Sequence, residues 1–319
     1  MHNDSQRLIS RPAEMVLAHQ PVLYQEIIHA LCPQSGARYI DGTLGAGGHA
    51  HGLLTASAPS GQLLGLDVDP QALDLARKWL APFGERAIIK QGSYLSLARY
   101  MEELGWEAVD GILLDLGASS MQFDTPQRGF SFLADGPLDM RFDPSAMLTA
   151  AGIINTWPEQ ELADLLFRFG EEPAAQRIAR AIVAARPLEG TRQLAALIEQ
   201  VKPRRGPRHP ATLTFQALRM AVNNEQESLE AVLPIAVRAL KAGGRVAVIS
   251  FHSLTDRLVK LYFRRESTDC LCPPRQPICT CGHKASIKEF NRHPILPTEA
   301  ETNQNSRARS AKLRVAEKL

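Results

Sequence analysis

No run of about 18 apolar residues occurs anywhere in the 319-residue chain, which removes the usual sequence mark of a membrane-spanning helix. The N-terminal stretch MHNDSQRLISRPAEM has no apolar core of the kind a signal peptide carries, so a soluble, cytoplasmic protein with no membrane partner is expected. Cysteine is scarce and odd in number: Cys32 stands alone, and Cys270, Cys272, Cys279 and Cys281 crowd one loop. That distribution does not make a disulfide framework. Net charge is only +2, so overall electrostatics name no nucleic-acid partner. No internal repeat is seen, which leaves a single packed fold of one large or two moderate domains, for which 45% apolar content is ample.

What the chain does contain is a glycine turn. After the short apolar run Tyr39-Ile40 comes DGTLGAGGH, Asp41 to His49, with glycines at 42, 45, 47 and 48, followed by a small-residue helical stretch. Glycine permits positive φ and close approach of a ligand, and a helix beginning there directs free N–H groups toward it. Strand, glycine turn and helix in that order mark the place where an open α/β sheet binds a nucleotide-like cofactor.

The segments on either side alternate. A helix is predicted over 19–31, then a strand in ARYID; a helix over 49–58 leads to QLLGLDV, an apolar run of the kind a doubly covered parallel strand shows, ending near Asp67. An acid at that distance from the glycines commonly accepts hydrogen bonds from ribose hydroxyls. Pro70 opens a helix whose apolar face is Ala72, Leu73, Leu75, Ala76, Trp79 and Leu80. A third strand, Ala87 to Ile89, precedes Tyr94, whose ring either packs in the core or lies against an adenine. A helix over 95–104 and the strand in VDGILLDLG follow, with Asp115 at the strand's end. This alternation is the pattern of a doubly wound, mainly parallel sheet.

It stops at Gln122, where a Gly-, Pro- and Asp-rich loop too long for a mere connection leads into helical segments near 150–154, 159–170, 173–185 and 191–201. Residues 126–212 are read as an inserted all-helical subdomain, 1–18 as a loose tail, and 19–125 with 213–319 as the sheet domain. The insert carries Arg168, Arg177, Arg180, Arg186, Arg192, Lys202, Arg204, Arg205 and Arg208, and the tail Arg307, Arg309, Lys312, Arg314 and Lys318. Composition leaves open whether these meet a phosphate backbone or simply face water. A helical pattern over 214–240, a strand in GGRVAVISFHS and a helix over 254–265 complete the alternation, and strands near 287–290 and 311–316 are expected to pair antiparallel at the sheet edge.

The glycine spacing is G-x-x-G-x-G-G, not the G-x-G-x-x-G of dinucleotide folds, and an antiparallel C-terminal pair suits a methyltransferase sheet. Longer stretches then resemble one family: HQPVL, DGTLGAGGHA, DGILLDLGASS with Gln122, RGFSF, DGPLDMR, HPATLTFQALRMAVNNE, GGRVAVISFHSLTDR and NSRARSAKLRVAEK. They are similar to the bacterial 16S rRNA (cytosine-N4) methyltransferases, the ribosomal RNA small subunit methyltransferase H family, from His19 to the C-terminus. The resemblance implies a class I S-adenosylmethionine-dependent methyltransferase fold, S-adenosylmethionine as methyl donor, and a cytosine N4 in the decoding region of 16S rRNA in the small ribosomal subunit as acceptor. It implies cofactor contacts at Gly47, Gly48, His49, Asp67, Tyr94, Asp115 and Gln122. Three departures stand out: Ala50 where Ser is common, Tyr94 where Phe is common, and Met121 where Pro is frequent.

Methyl transfer from a sulfonium needs the amine held in line with the sulfur–methyl bond and an acceptor for its N–H. Asp115 is the catalytic candidate by position; Ser119, Ser120 and Asp139 read better as loop-capping groups. Asp115-Leu116-Gly117-Ala118 is not the acid-Pro-Pro-aromatic motif of many amino-group methyltransferases, so that mechanism does not transfer. His252 reads as a hydrogen-bonded structural histidine. The four clustered cysteines, followed by His283, fit reduced thiols in a surface loop or a zinc site with spacers tighter than usual, and the sequence assigns no metal ligand. An NAD-dependent oxidoreductase and a non-catalytic rRNA-binding assembly factor are the competing classes.

Overall fold

A computed structural model describes residues 21–204, 206–273, 276 and 278–319; the tail 1–18, His19 and Arg205 lie outside them. In chain order the elements are α1 (Tyr24–Leu31), β1 (Arg38–Asp41), α2 (Gly48–Ala56), β2 (Gln62–Asp67), α3 (Pro70–Leu80), β3 (Ala87–Gln91), α4 (Leu97–Glu103), β4 (Val109–Asp115) and α5 (Ser120–Asp124). There follow α6 (Ala150–Thr156), α7 (Glu159–Gly170), α8 (Ala175–Ala184), α9 (Thr191–Val201), α10 (Thr212–Val222) and α11 (Glu225–Ala239). The chain closes with β5 (Leu240–Ser250), α12 (Ser253–Glu266), β6 (Ile287–Glu289), α13 (Glu299–Gln304) and β7 (Lys312–Lys318).

The strands form one sheet in the order β3-β2-β1-β4-β5-β7-β6. β1 to β5 run parallel, and β7 enters antiparallel between β5 and β6. The fold is the expected α/β, Rossmann-like one. One face of the sheet is covered by apolar residues of α1, α2 and α3, among them Ile27, Leu53 and Leu73. The other is covered by α4, α11 and α12 through Leu97, Leu233 and Phe263. With both faces buried, the strands have no use for polar alternation, which is why β2 and β4 read as continuous apolar runs.

A third apolar cluster runs from Phe130 to Val222 and joins α6, α7, α8 and α9 to α10. The helical stretch expected over 214–240 is two helices, because Asn224 at φ 49° breaks it. Asparagine is among the few side chains that tolerate this left-handed conformation, and the break lets α10 pack with α6 to α9 while α11 packs on the sheet. The first helix also begins later than predicted, at Tyr24, because Leu23 adopts φ 56°.

The basic C-terminal segment is partly structural. Arg314, only 7% exposed, donates from Nε and Nη2 to the two carboxylate oxygens of Asp256 at 2.6 and 3.2 Å, and Lys312 reaches the same group at 3.3 Å. This fastens β7 to α12. Asp256→Ala would leave a buried guanidinium unpaired and is expected to lower stability by about 3–5 kcal/mol, measured by urea unfolding.

Candidate active site

The order of the strands reverses between β1 and β4, and a cavity of about 1240 Å3 opens beyond their carboxyl ends. Its floor is the glycine turn. Gly42 N–H donates to Leu113 O, and Leu44 N–H to Leu66 O, both at 2.9 Å, so the turn is stitched to the strands on either side. A Cβ on Gly42 would lie 2.7 Å from Leu114 Cδ2, and one on Gly48 would lie 2.5 Å from Pro21 Cγ. Glycine is therefore required by crowding at both places. Gly47 is required by its backbone, at φ 87°. As N-cap of α2 it offers no side chain to the helix, so the first N–H groups of α2 are left for other acceptors.

Gly48, His49, Asp67, Tyr94, Asp115 and Gln122 line the cavity; Gly47 stands behind it, facing Leu80. Asp67 accepts from Gly45 N at 2.7 Å and Asp69 N at 2.9 Å, one bond to each oxygen, leaving lone pairs toward the cavity. Gln122 is spent within the protein: its Oε1 accepts from Ser119 N at 2.9 Å and its Nε2 donates to Asp69 at 2.9 Å. The same Asp69 oxygen takes Nη1 of Arg128 at 2.6 Å, and Arg128 also donates to the carbonyls of Arg141 and Phe142. Gln122 and Arg128 thus tie α5 and the segment after it to the turn between β2 and α3.

Asp115 and His49 are the unsatisfied pair. Asp115 Oδ1 and both ring nitrogens of His49 are buried without a hydrogen-bond partner, and His49 Nε2 approaches Asp115 Oδ2 at 3.7 Å. Burial pushes Asp115 up to about 7 and His49 down to about 4. At 3.7 Å with a neutral imidazole, this is a close approach, not an ion pair. Burial, with the charges of Asp115 and Asp67 adding to it, also lifts Asp41 to about 7. Asp67 is raised by burial, and the amides of Asp69 and Gly45 oppose that rise. Burial raises Tyr94, as does nearby Glu225. Buried polar atoms without partners, facing a cavity, are a mark of a ligand site.

Several residues of the site were not singled out by sequence. The fully buried face of α3 is Ala72, Leu73, Ala76 and Leu80; Trp79 packs against the same cluster only partly buried, Leu75 is 41% exposed contrary to the expected buried face, and both line the cavity. Arg219 pairs with Glu225 at 2.7 and 3.0 Å, and its Nη1 lies 3.9 Å from where a Cβ on Gly117 would be. Asn223 accepts from Phe142 N at 2.6 Å and donates to Met140 O at 2.7 Å, holding Phe142 at the cavity wall. The asparagine pair that interrupts the helical pattern was the available signal. From the C-terminus, Arg307 bonds Asp124 at 2.5 Å and lines the mouth.

Ser119 and Ser120 line the cavity, Ser119 capping α5. Asp139 is engaged with Arg141, and His252 caps α12 through Thr255, its pKa lowered to about 3 by burial and then by Arg219.

The sequence profile of the MraW methylase family matches residues 16–319. The chain belongs to the MraW methylase family. This methylase is 50% identical over 310 residues to the ribosomal RNA small subunit methyltransferase H of Oleidesulfovibrio alaskensis, covering 95% of each chain. It is 51% identical over 305 residues to that of Thermomicrobium roseum, covering 94% of each, and 48% identical over 323 residues to that of Maridesulfovibrio salexigens, covering 99% of this chain and 98% of the relative. Membership in a methylase family removes the oxidoreductase reading.

The buried acid gives this methylase a pH signature. A carboxyl with folded pKa near 7 and an ordinary value of 3.8 destabilises the fold when ionised above pH 7, and that cost fades as pH falls toward 3.8. His49 acts oppositely, costing stability as pH falls from 6.5 through about 4, but it is common to both proteins in a comparison. Asp115→Asn is expected to melt above the unaltered, ligand-free protein at pH 8, with the gap shrinking through pH 7 toward pH 4 in calorimetry.

Proposed function

We propose that this methylase transfers a methyl group from S-adenosylmethionine to the exocyclic N4 of a cytosine in 16S rRNA of the small ribosomal subunit. The observation that carries this reading is the unpartnered Asp115 oxygen beside a glycine-built cavity, in a chain about half identical to rRNA small subunit methyltransferases. The residues present suit the cofactor. The start of α2 offers amides, and Asp67 and Asp115 line the space with carboxyl groups that favour a cation.

When bound, S-adenosylmethionine supplies an electrophilic methyl on a sulfonium. Asp67 keeps lone pairs for ribose hydroxyls, and Tyr94, Leu75 and Trp79 provide apolar surface for the adenine. Gln122 acts on the site by bracing Asp69 and Ser119. Asp115 would accept an N–H of the target amine as N4 turns its lone pair out of the ring, and would take the proton released as the N–C bond forms and the sulfur–methyl bond breaks to leave a neutral thioether. A carboxyl near 7 is matched to that task at neutral pH. Neutral His49 beside it imposes no charge that would hold Asp115 permanently ionised.

The cytosine has to leave its stack to reach a recessed methyl group. The insert, 126–212, is the proposed RNA-holding part. Several of its basic groups are already engaged: Lys202 with buried Glu172, Arg186 with backbone carbonyls, Arg180 with Glu159. Exposed Arg177, Arg204 and Arg208 are better placed for phosphates.

With labelled S-adenosylmethionine and small-subunit particles from cells lacking this protein, label is expected in N4-methylated cytidine; label in another nucleoside or in protein would overturn the reading. Asp115→Asn should lower kcat by about 10²–10⁴-fold with little change in KM for the particle. Replacing Arg204 and Arg205 together by Glu should weaken binding to small-subunit RNA while leaving cofactor affinity, measured by calorimetry, unchanged.

A further inference from the structure

Between α12 and β6 the chain makes an exposed excursion that buries little apolar surface: Leu271 is 44% and Ile278 76% exposed. Its base is fastened by Ser286 N–H to Glu266 O at 2.9 Å and by Ala285 N–H to Asp269 at 3.2 Å. Among the described residues nothing apolar gathers the loop, yet its cysteines are gathered. The sulfurs of Cys270, Cys272, Cys279 and Cys281 all lie within 4.8 Å of one another.

The spacing of the sulfurs decides between the ways thiols can meet. Cys270 to Cys279 and Cys279 to Cys281 are both 3.5 Å, and Cys272 to Cys279 and Cys281 to Cys270 are both 3.9 Å. A disulfide requires about 2.05 Å, so no pair is joined. Four sulfurs placed about 2.3 Å from one tetrahedral metal ion stand roughly 3.8 Å apart along every edge. The observed separations straddle that edge length. We propose that Cys270, Cys272, Cys279 and Cys281 form a closed structural site for one zinc ion.

The surroundings fit this donor set. Leu271 N–H donates to Cys281 at 3.3 Å, and Thr280 N–H to Cys272 at 3.4 Å. Each arm thus gives an amide to a sulfur of the other, which spreads thiolate charge and orients the ligands. His283 does not belong to the set: the ligand atoms that gather are the four sulfurs, and its Nε2 is at 3.1 Å from Arg265 O. Four sulfurs with no oxygen ligand select a soft ion over magnesium or calcium, and four protein ligands leave no open position for chemistry. The one-residue spacers are accommodated because the two Cys-x-Cys pairs come from opposing arms of the loop. The ion takes the place of the core that the loop lacks.

The test uses the full-length protein purified under reducing conditions without chelator. Plasma mass spectrometry is expected to find one zinc per chain, retained in Cys32→Ser and lost in Cys279→Ser. Cobalt exchanged into the unaltered protein should show the thiolate charge-transfer and d–d absorption of a tetrahedral four-sulfur site. Protease should cut within 267–286 faster after Cys279→Ser, with the far-ultraviolet circular dichroism of the remainder preserved. Zinc well below one per chain with no such cobalt spectrum, equal zinc in Cys279→Ser, iron in place of zinc, or disulfides among these four cysteines under non-reducing mass analysis would each overturn the proposal.

Discussion

The carboxylate of Asp69, with no exposure to solvent, holds the site to the rest of the molecule. One oxygen caps α3 through Gln71 N; the other receives both Gln122 and Arg128. The turn after β2 thereby meets α5 and the segment that follows it, more than fifty residues away in sequence. Removing it would strand a guanidinium that is only 9% exposed and an amide that is 5% exposed, and unpaired buried groups of that kind are costly. Because Asp69 N–H also binds Asp67, and Asp67 binds the glycine turn through Gly45, one continuous run of hydrogen bonds reaches from the insert to the cavity floor.

Beside this satisfied network lies an unsatisfied one. Asp41, Asp67, Asp115 and His49 crowd the ends of β1, β2 and β4, where the apolar sheet interior disfavours charge on all of them. Asp41 and Asp67 are compensated by backbone amides; Asp115 and His49 retain buried atoms with no partner. The fold thus keeps one acid and one imidazole in an environment that a bound cation and an amine substrate would relieve. Strain of this sort at a cavity is consistent with a site organised for its ligands and not for the empty state.

The basic residues show why charge counts mislead. Arg314 and Lys312 join α12 to β7, Arg186 anchors on the carbonyls of Ile154 and Trp157, and Lys202 neutralises the fully buried Glu172. Each is a tie within the protein. The basic surface not tied up within the protein is narrower than the sequence cluster suggests, and it includes exposed Arg177 of α8 and Arg204 and Arg208 after α9.

Much of the architecture was legible in the chain itself. Apolar runs ending at Asp67 and Asp115, the glycine turn, and Pro70 opening α3 act over a few residues, so periodicity and backbone chemistry suffice to place β2, β4, α2 and α3. The helices Glu159–Gly170 and Thr191–Val201 fell where their spacing predicted. What local pattern could not supply was partnership. Leu75 reads as core because a helical stripe does not say which neighbour is protein and which is a cavity. Asn224 divides a continuous helical pattern, and the two helices it separates pack in different apolar clusters. Gln122 lines the cavity, and the chain's local pattern gave no sign of its long-range hydrogen bond to Asp69. The four cysteines were a spacing until the loop brought their sulfurs to the edge length of a tetrahedron. Sequence determines what each short segment can form; only the tertiary structure decides which distant group satisfies a buried polar atom, because that energy depends on a partner tens of residues away.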